Sequence, residues 1–190
     1  MLEKIPSSIG RALRSARAGT AELMFNDELL ASVPSTITVR CPEVEKSGQL
    51  APRFTADGLG ISPSIEWNGI PPDATSLVLL IEDADSPTLE PLVHAIVWDL
   101  PASDGELREG ALRSSEHDGD IETMGRNSYM TAKYLPPDPP SGHGVHRYAF
   151  QIFALDARPK LEMPGRGKVL DLLKHHAIAK GMTIGTYERP

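Results

Sequence analysis

Proline is the residue type that most restricts what this chain can fold into. The 190 residues include 17 prolines, accompanied by 16 glycines. Proline lacks a backbone N–H and disrupts helix interiors, and glycine is typical of turns. Because these residues are spread along the chain, few stretches are long enough for an extended helix. The pattern therefore predicts short strands joined by many turns.

Length, charge and cysteine content exclude several classes of protein. A chain of 190 residues is typical of one domain with its own core. The single cysteine, Cys41, excludes an intramolecular disulfide and a cysteine-cluster metal site. The formal net charge of −7 argues against a nucleic-acid-binding protein, which needs a basic surface. With no apolar run of the roughly 20 residues that a membrane span needs and no secretory signal pattern, we expect a cytoplasmic protein.

The N-terminal segment differs from the rest of the sequence. We predict an amphipathic arm over residues 1–34 and a second domain over residues 35–190. Residues 1–20 carry four basic side chains against one acidic one, a net +3. This composition permits contact with an anionic membrane. The lack of aromatic residues instead favours a helix, capped by Ser7 or Ser8, that docks on its own domain or on a second subunit. The residues at helical spacing are Ile5, Ile9, Leu13 and Ala16.

Apolar patterns along the remaining sequence predict a β-rich fold. Residues 76–81 are apolar without alternation, as in a central strand covered on both faces. Residues 168–180 predict a helix that ends before Gly181. The polar, acidic stretch 102–135 predicts a solvated loop. Further strands are predicted at 36–40, 50–55, 64–67, 93–100 and 147–155.

Candidate functional residues cluster at the predicted ends of three strands. Asp83 and Asp85 follow the buried strand, and their i, i+2 spacing places both carboxylates on one face. Neighbouring carboxylates repel, so either one holds a proton or both need cationic partners. His94 opens the next strand, on a face predicted to continue through Ile96, Trp98 and Leu100. The third group is His146, Arg147 and Tyr148.

These residues suit two kinds of site if the strand ends meet. Two aspartates and two histidines match the ligand preferences of zinc or iron. Histidines with the hydroxyl of Tyr148 equally suit an oxyanion such as phosphate, with the aspartates orienting the imidazoles. The residues alone leave both alternatives open. An Asp-x-Asp-Ser-Pro segment is also ordinary turn chemistry.

At these residues the sequence resembles the phosphatidylethanolamine-binding protein family, in its bacterial branch often labelled Raf kinase inhibitor-like. The resemblance covers about residues 37–189 and is carried by blocks that occur in the family's order. The first two are D-A-D-S-P at 83–87 and V-H-A-I-V-W-D-L-P at 93–101. The others are P-P-S-G at 139–142 with H-R-Y-A-F at 146–150, S-P-S-I-E-W at 62–67, G-R-N at 125–127, and G-M-T-I-G-T-Y-E-R at 181–189.

The resemblance implies a mostly β, Greek-key β-sandwich with short peripheral helices and a small anion pocket that needs no metal or cofactor. Two departures concern this pocket. Ala84 stands where the family has the middle proline of D-P-D, and Asp138 adds a carboxylate that would oppose an anion. The residues implied to form the pocket are Asp83, Asp85, His94, His146 and Tyr148, with Pro87 and Pro140 shaping its rim.

The expected function is that of a non-enzymatic binding protein. Its ligand would be phosphate or a phosphorylethanolamine-like head group, with no catalytic residue. The first alternative is an interaction protein that inhibits a protein kinase or a protease, as some relatives do. The second is a metal-dependent hydrolase that uses the same residues. A homodimer is also expected, since bacterial relatives often pair.

Overall fold

A computed structural model describes residues 6–45, 47–115 and 117–189, and it contains two antiparallel sheets. The first sheet has three short strands: β1 (Thr38–Arg40), β2 (Ile65–Asn68) and β5 (Gly105–Leu107), in the spatial order β1–β2–β5. The second sheet has four strands, and its two central ones are β3 (Ser76–Asp83) and β6 (His146–Leu155). The outer strands β4 (Leu92–Leu100) and β7 (Ala177–Tyr187) give it the order β4–β3–β6–β7. The predicted mostly β fold is confirmed.

The helices are few and short, as the proline content predicts. They are α1 (Ser7–Ala12), α2 (Pro42–Glu45) and α3 (Arg166–His176). Single 3₁₀ turns lie at Thr20–Glu22, Met24–Asn26, Glu28–Leu30 and Pro52–Phe54. No helix among the described residues is both long enough and apolar enough to span a membrane.

The four-stranded sheet is buried on both faces. All eight residues of β3 are buried, which confirms the prediction of a central strand. Leu77 and Leu79 face the core between the two sheets, whereas Val78 and Leu80 face a second core. That second core contains Val169 of α3 together with residues of the 3₁₀ turns. Each fully buried aliphatic side chain of this kind contributes about 1.5–3 kcal/mol relative to exposure.

The predicted helix over 168–180 was wrong in its second part. Helix α3 ends at His176, and strand β7 begins at Ala177 and pairs with β6. The backbone of Lys180 also bonds to the chain entering β1, since its N–H donates to the carbonyl of Pro34 at 2.8 Å. Gly181 permits this close approach, because a Cβ there would lie 2.0 Å from the carbonyl oxygen of Ile37. Tertiary pairing thus overrides the local helical pattern.

Two other predictions about local structure were wrong. The stretch 50–55 contains a 3₁₀ turn with Phe54 fully buried, instead of a strand. The stretch 102–135 is only partly solvated, since it supplies strand β5 and buried residues such as Leu112. Spaced apolar side chains anchor this acidic segment to the core, although its net charge suggested a free loop.

The N-terminal helix docks on its own chain, as one of the two docking alternatives expected. Ile5, part of its predicted apolar face, lies outside the described residues. Helix α1 follows Pro6, and no side chain caps it, so the predicted serine cap was wrong. Gly10 is buried, and a Cβ there would lie 2.1 Å from the carbonyl oxygen of Ser141. We call residues 6–19 the N-terminal strap.

Candidate ligand-binding site

The candidate site is a small cleft where strands β3, β4 and β6 meet at one end of the sheet. Asp83 at the end of β3 pairs with Leu92 of β4 and with Tyr148 of β6, so the three strand ends lie side by side. The cavity measures about 30 Å³. Its lining consists of Asp83, Ser86, Pro87, Leu92, His94, Tyr129, Leu135, Pro136, Asp138, Pro139, Pro140 and His146.

Five of the seven predicted site residues line this cleft, namely Asp83, Pro87, His94, Pro140 and His146. Tyr148 lies beside it, with its ring centroid 5.2 Å from that of His94 in an edge-on arrangement. Asp85 does not line the cleft and instead bonds to arginines. The cleft also includes Tyr129, which the sequence motifs did not single out.

A β-bulge directs His94 into the cleft. The pairing of β3 with β4 passes from Ala95 directly to Val93, so His94 is the extra residue. Bulges of this kind redirect side chains next to functional sites. A second irregularity near Asp99, whose φ is 60°, places Leu100 in the core between the sheets and Ile96 in the other core. The predicted single face from His94 to Leu100 was therefore wrong.

His94 offers the cleft a neutral hydrogen-bond acceptor. Its Nδ1 lies 2.5 Å from the carbonyl oxygen of Leu135, and a carbonyl can only accept, so Nδ1 carries the hydrogen. Burial lowers the pKa of His94, although the charge of Asp83 opposes that shift. The neutral ring then has a bare Nε2, which is buried and has no partner among the described residues.

Tyr148 offers a second unsatisfied polar atom. Its hydroxyl is buried and has no partner among the described residues. Burial raises the pKa of Tyr148 well above its ordinary value of 10.0, and the nearby carboxylate of Asp83 adds to the shift. The hydroxyl therefore keeps its hydrogen and can donate it. Buried groups without partners are rare in folded proteins and call for an explanation.

Asp83 and His146 belong to a continuous hydrogen-bonded chain. Nδ1 of His146 lies 2.7 Å from Oδ2 of Asp83, and Nε2 of His146 lies 2.7 Å from Nδ1 of His143. Nε2 of His143 in turn lies 2.8 Å from the carbonyl oxygen of Leu13. Burial, followed by the neighbouring His146, lowers the pKa of His143. The motifs did not reveal His143, and its i, i+3 spacing from His146 was the only available signal.

The second aspartate has a different role from the first. Asp85 is fully buried and accepts hydrogen bonds from Nε and Nη2 of Arg147, both at 2.7 Å. It also pairs with Arg17 of the strap at 2.8 Å. Burial works to raise the pKa of Asp85, but the bonds from Arg147 and Arg17 outweigh it and bring the pKa to about 2. Its position indicates that Asp85 fixes the loop that carries Asp83.

The two departures from the family pattern have structural counterparts. The carboxylate of Asp138 lies 2.7 Å from Nη1 of Arg189, so a cation accompanies the added negative charge. The N–H of Ala84 donates to the carbonyl of Arg147 at 2.9 Å, a bond that proline could not make. The carbonyl of Ala84 accepts from the N–H of Gly19 at 2.7 Å, so the strap holds this loop.

The site residues show no metal-binding arrangement. Across residues 6–45, 47–115 and 117–189, no group of three His, Cys, Asp or Glu side chains is placed to hold a metal ion. Asp83, His146 and His143 instead direct their ring nitrogens and carboxylate oxygens at one another.

Comparisons with known proteins agree with this geometry. The UPF0098 protein of Methanothermobacter thermautotrophicus is 37% identical over 145 residues, covering 75% of this chain and 92% of that protein. Phomoidride biosynthesis cluster protein B of a fungal strain is 26% identical over 200 residues, covering 99% of this chain and 96% of that protein. That second alignment therefore includes the N-terminal strap.

A solved structure and a family model give the same assignment. The crystal structure of Escherichia coli YbcL, described as a member of the mammalian PEBP family, superposes with a TM-score of 0.72. Its identity is 25%, and the match covers 82% of this chain and all of that one. The model named "Phosphatidylethanolamine-binding protein" matches residues 41–188, nearly the whole stretch over which the motifs resemble that family. The chain therefore belongs to the phosphatidylethanolamine-binding protein family.

Proposed function

We propose that this protein binds, without chemical transformation, a small phosphate-like group in the cleft between Asp83, His94 and His146. The observation that carries the proposal is the pair of buried atoms without partners, Nε2 of His94 and the hydroxyl of Tyr148. Each such atom costs about 1–3 kcal/mol when it is buried unsatisfied. A ligand that pairs with both would recover that free energy.

The two atoms define the ligand's chemistry. Neutral His94 can only accept at Nε2, whereas the hydroxyl of Tyr148 can donate. A phosphate group with one proton offers a P–OH donor and several acceptor oxygens, so it matches both. The family name supports a phosphate-bearing head group, and a cavity of about 30 Å³ favours a small group over an acyl chain.

Two further features support this ligand. The carboxylates of Asp83 and Asp138 each have a partner, in His146 and Arg189 respectively, which limits their repulsion of an anion. Pro87 and Pro140 line the cleft with backbone whose φ is fixed. A rim that is already ordered lowers the conformational cost of binding.

Isothermal titration with inorganic phosphate, phosphorylethanolamine and acetate tests the proposal. We expect Tyr148→Phe, which removes one hydroxyl, to weaken phosphate binding about tenfold or more, and His94→Ala to weaken it at least as much. Tyr134→Phe is the matched control, because its hydroxyl binds the carbonyl of Phe54. The absence of heat at millimolar phosphate, or equal affinity of Tyr148→Phe and wild type, would contradict the proposal. Acetate binding as tight as that of phosphate would identify a carboxylate ligand instead.

The remaining alternatives have less support. A kinase or protease partner, the homodimer and the cytoplasmic location remain predictions. A metal-dependent hydrolase is disfavoured by the donor set, since Asp83, His146 and His143 are bonded to one another.

A further inference from the structure

The N-terminal strap bonds to both loops that frame the candidate site. The N–H groups of Ala18 and Gly19 donate to the carbonyls of Ser86 and Ala84, at 3.1 and 2.7 Å. The guanidinium of Arg17 donates to the carbonyls of Val145 at 2.7 Å and His143 at 3.0 Å. The strap thus joins the loop after β3 to the loop before β6.

One contact of the strap fixes where a hydrogen must lie. The carbonyl oxygen of Leu13 can only accept, so Nε2 of His143 must carry a hydrogen to bond it at 2.8 Å. One hydrogen must also lie between His143 and His146, and another between His146 and Asp83. A complete chain from Asp83 to Leu13 therefore requires three hydrogens, one for each contact.

Ordinary protonation states supply one hydrogen too few. An ionised Asp83 and two neutral imidazoles carry only two hydrogens on these atoms. The third hydrogen changes the net charge of the three side chains from −1 to zero, whichever of them carries it. Without the strap, Nε2 of His143 has no carbonyl to satisfy, and two hydrogens complete the remaining contacts.

We propose that docking of the strap adds one proton to the chain of Asp83, His146 and His143, so that the strap sets the charge of the ligand site. The carbonyl of Leu13 and the ring of His143 act as positioning groups, since neither lines the cleft. The docked strap makes the site less negative and thereby favours an anion. This effect on affinity rests on the function proposed above, whereas the proton linkage does not.

The other charged groups around this chain leave the hydrogen count unchanged. Asp85 is paired with Arg17 and Arg147, and Asp138 is paired with Arg189. From β4, neutral His94 bonds Leu135. None of the printed bonds of these groups reaches the nitrogens of His143 or His146. The remaining ionisable neighbours are Tyr148 from β6, and Arg11 and Arg14 from the strap, which lie beside Gly142 and Gly144.

Gly10→Ala tests the proposal in the full-length protein. The new Cβ would lie 2.1 Å from the carbonyl of Ser141, so α1 cannot seat, although alanine is the better helix former. Ser8→Ala is the control within the same helix, because Ser8 is exposed. The readouts are the ¹⁵N shifts of the two imidazole rings and the ¹³C shift of the Asp83 carboxyl, which together count the hydrogens.

At pH 7 we expect three hydrogens in wild type and Ser8→Ala, and two in Gly10→Ala. Hydrogen exchange of the Ala18 and Gly19 amides, corrected for intrinsic rates, reports strap docking in the wild type alone. Because one proton is linked, the docking constant should fall about tenfold per pH unit above the pKa of the undocked chain. Two hydrogens in wild type, or docking that does not change between pH 6 and 9, would overturn the proposal.

A phosphate titration of the same variants separates this proposal from the proposed function. Weaker phosphate binding by Gly10→Ala than by Ser8→Ala would support control of ligand affinity by the strap. No phosphate binding by any of the proteins, with three hydrogens still counted in wild type, would refute the phosphate ligand while supporting the linkage. Equal phosphate affinity of both variants would overturn the effect on affinity.

Discussion

Nη1 of Arg17 lies 2.8 Å from Oδ1 of Asp85, and this ion pair ties the N-terminal strap to a loop of the candidate site. The side chain of Asp85 is fully buried, whereas that of Arg17 is partly exposed. Arg17 also bonds two carbonyls of the loop that precedes β6. A single side chain therefore connects three segments that are distant in sequence.

We predict that Arg17→Gln lowers the free energy of unfolding by about 1–3 kcal/mol, because it leaves Asp85 with one cation and two carbonyls without their donor. Urea denaturation measures the change. Arg14→Gln is the control, since Arg14 is an exposed arginine on the same strap. A loss of the same size in Arg14→Gln would show that general charge reduction, and not the bonds of Arg17, is responsible.

Asp85 predicts a loss of stability in acid. Its pKa is about 2 in the folded protein and 3.8 as a reference value. A lowered carboxyl pKa stabilises the fold above the unfolded pKa, and this contribution disappears as the pH falls from about 4 to 2. The loss amounts to about 2 kcal/mol. Denaturant midpoints across this range should decline more steeply in wild type than in Asp85→Asn, which is already destabilised at pH 7.

Arg189 is predicted to support anion binding through Asp138. Its guanidinium lies 2.7 Å from that carboxylate at the edge of the cleft. Arg189→Gln removes the cation, so we expect phosphate affinity to fall several-fold at low salt and the effect to shrink at high salt. Adding Asp138→Asn to Arg189→Gln should restore part of the affinity. If titration shows no recovery in the double variant, Arg189 acts through the fold and not through the charge of Asp138.

The sequence predicted the strands more reliably than the contacts of the site. Strand β6 matches its alternation, with Tyr148, Phe150 and Ile152 in the core between the sheets. The motifs named Asp83, His94 and His146 because these residues follow or open strands whose ends meet. The bulge at His94 was hidden, since register depends on the partner strand. Contacts of the strap were also hidden, because Arg17 bonds Val145 across 128 residues.

The boundary between α3 and β7 shows why local pattern failed elsewhere. Residues 177–180 continue a helical apolar spacing, yet their backbone bonds are made with β6 and with the chain that enters β1. Only a residue without a side chain permits this approach at position 181. Gly181 was taken from sequence as a helix stop, and its role is instead a close crossing of two chains.

We therefore predict that Gly181→Ala lowers the free energy of unfolding by about 3 kcal/mol, because its Cβ would lie 2.0 Å from the carbonyl oxygen of Ile37 and force β1 away from β7. Gly167→Ala is the matched control near the start of α3, where a Cβ would meet no atom within 4 Å. There alanine should be neutral or stabilise by about 0.5 kcal/mol, through its higher helix propensity. Thermal and urea unfolding of the two variants provide the measurement. Equal stability of Gly181→Ala and wild type would mean that β1 can shift without cost, and the crossing would then not restrict residue 181 to glycine.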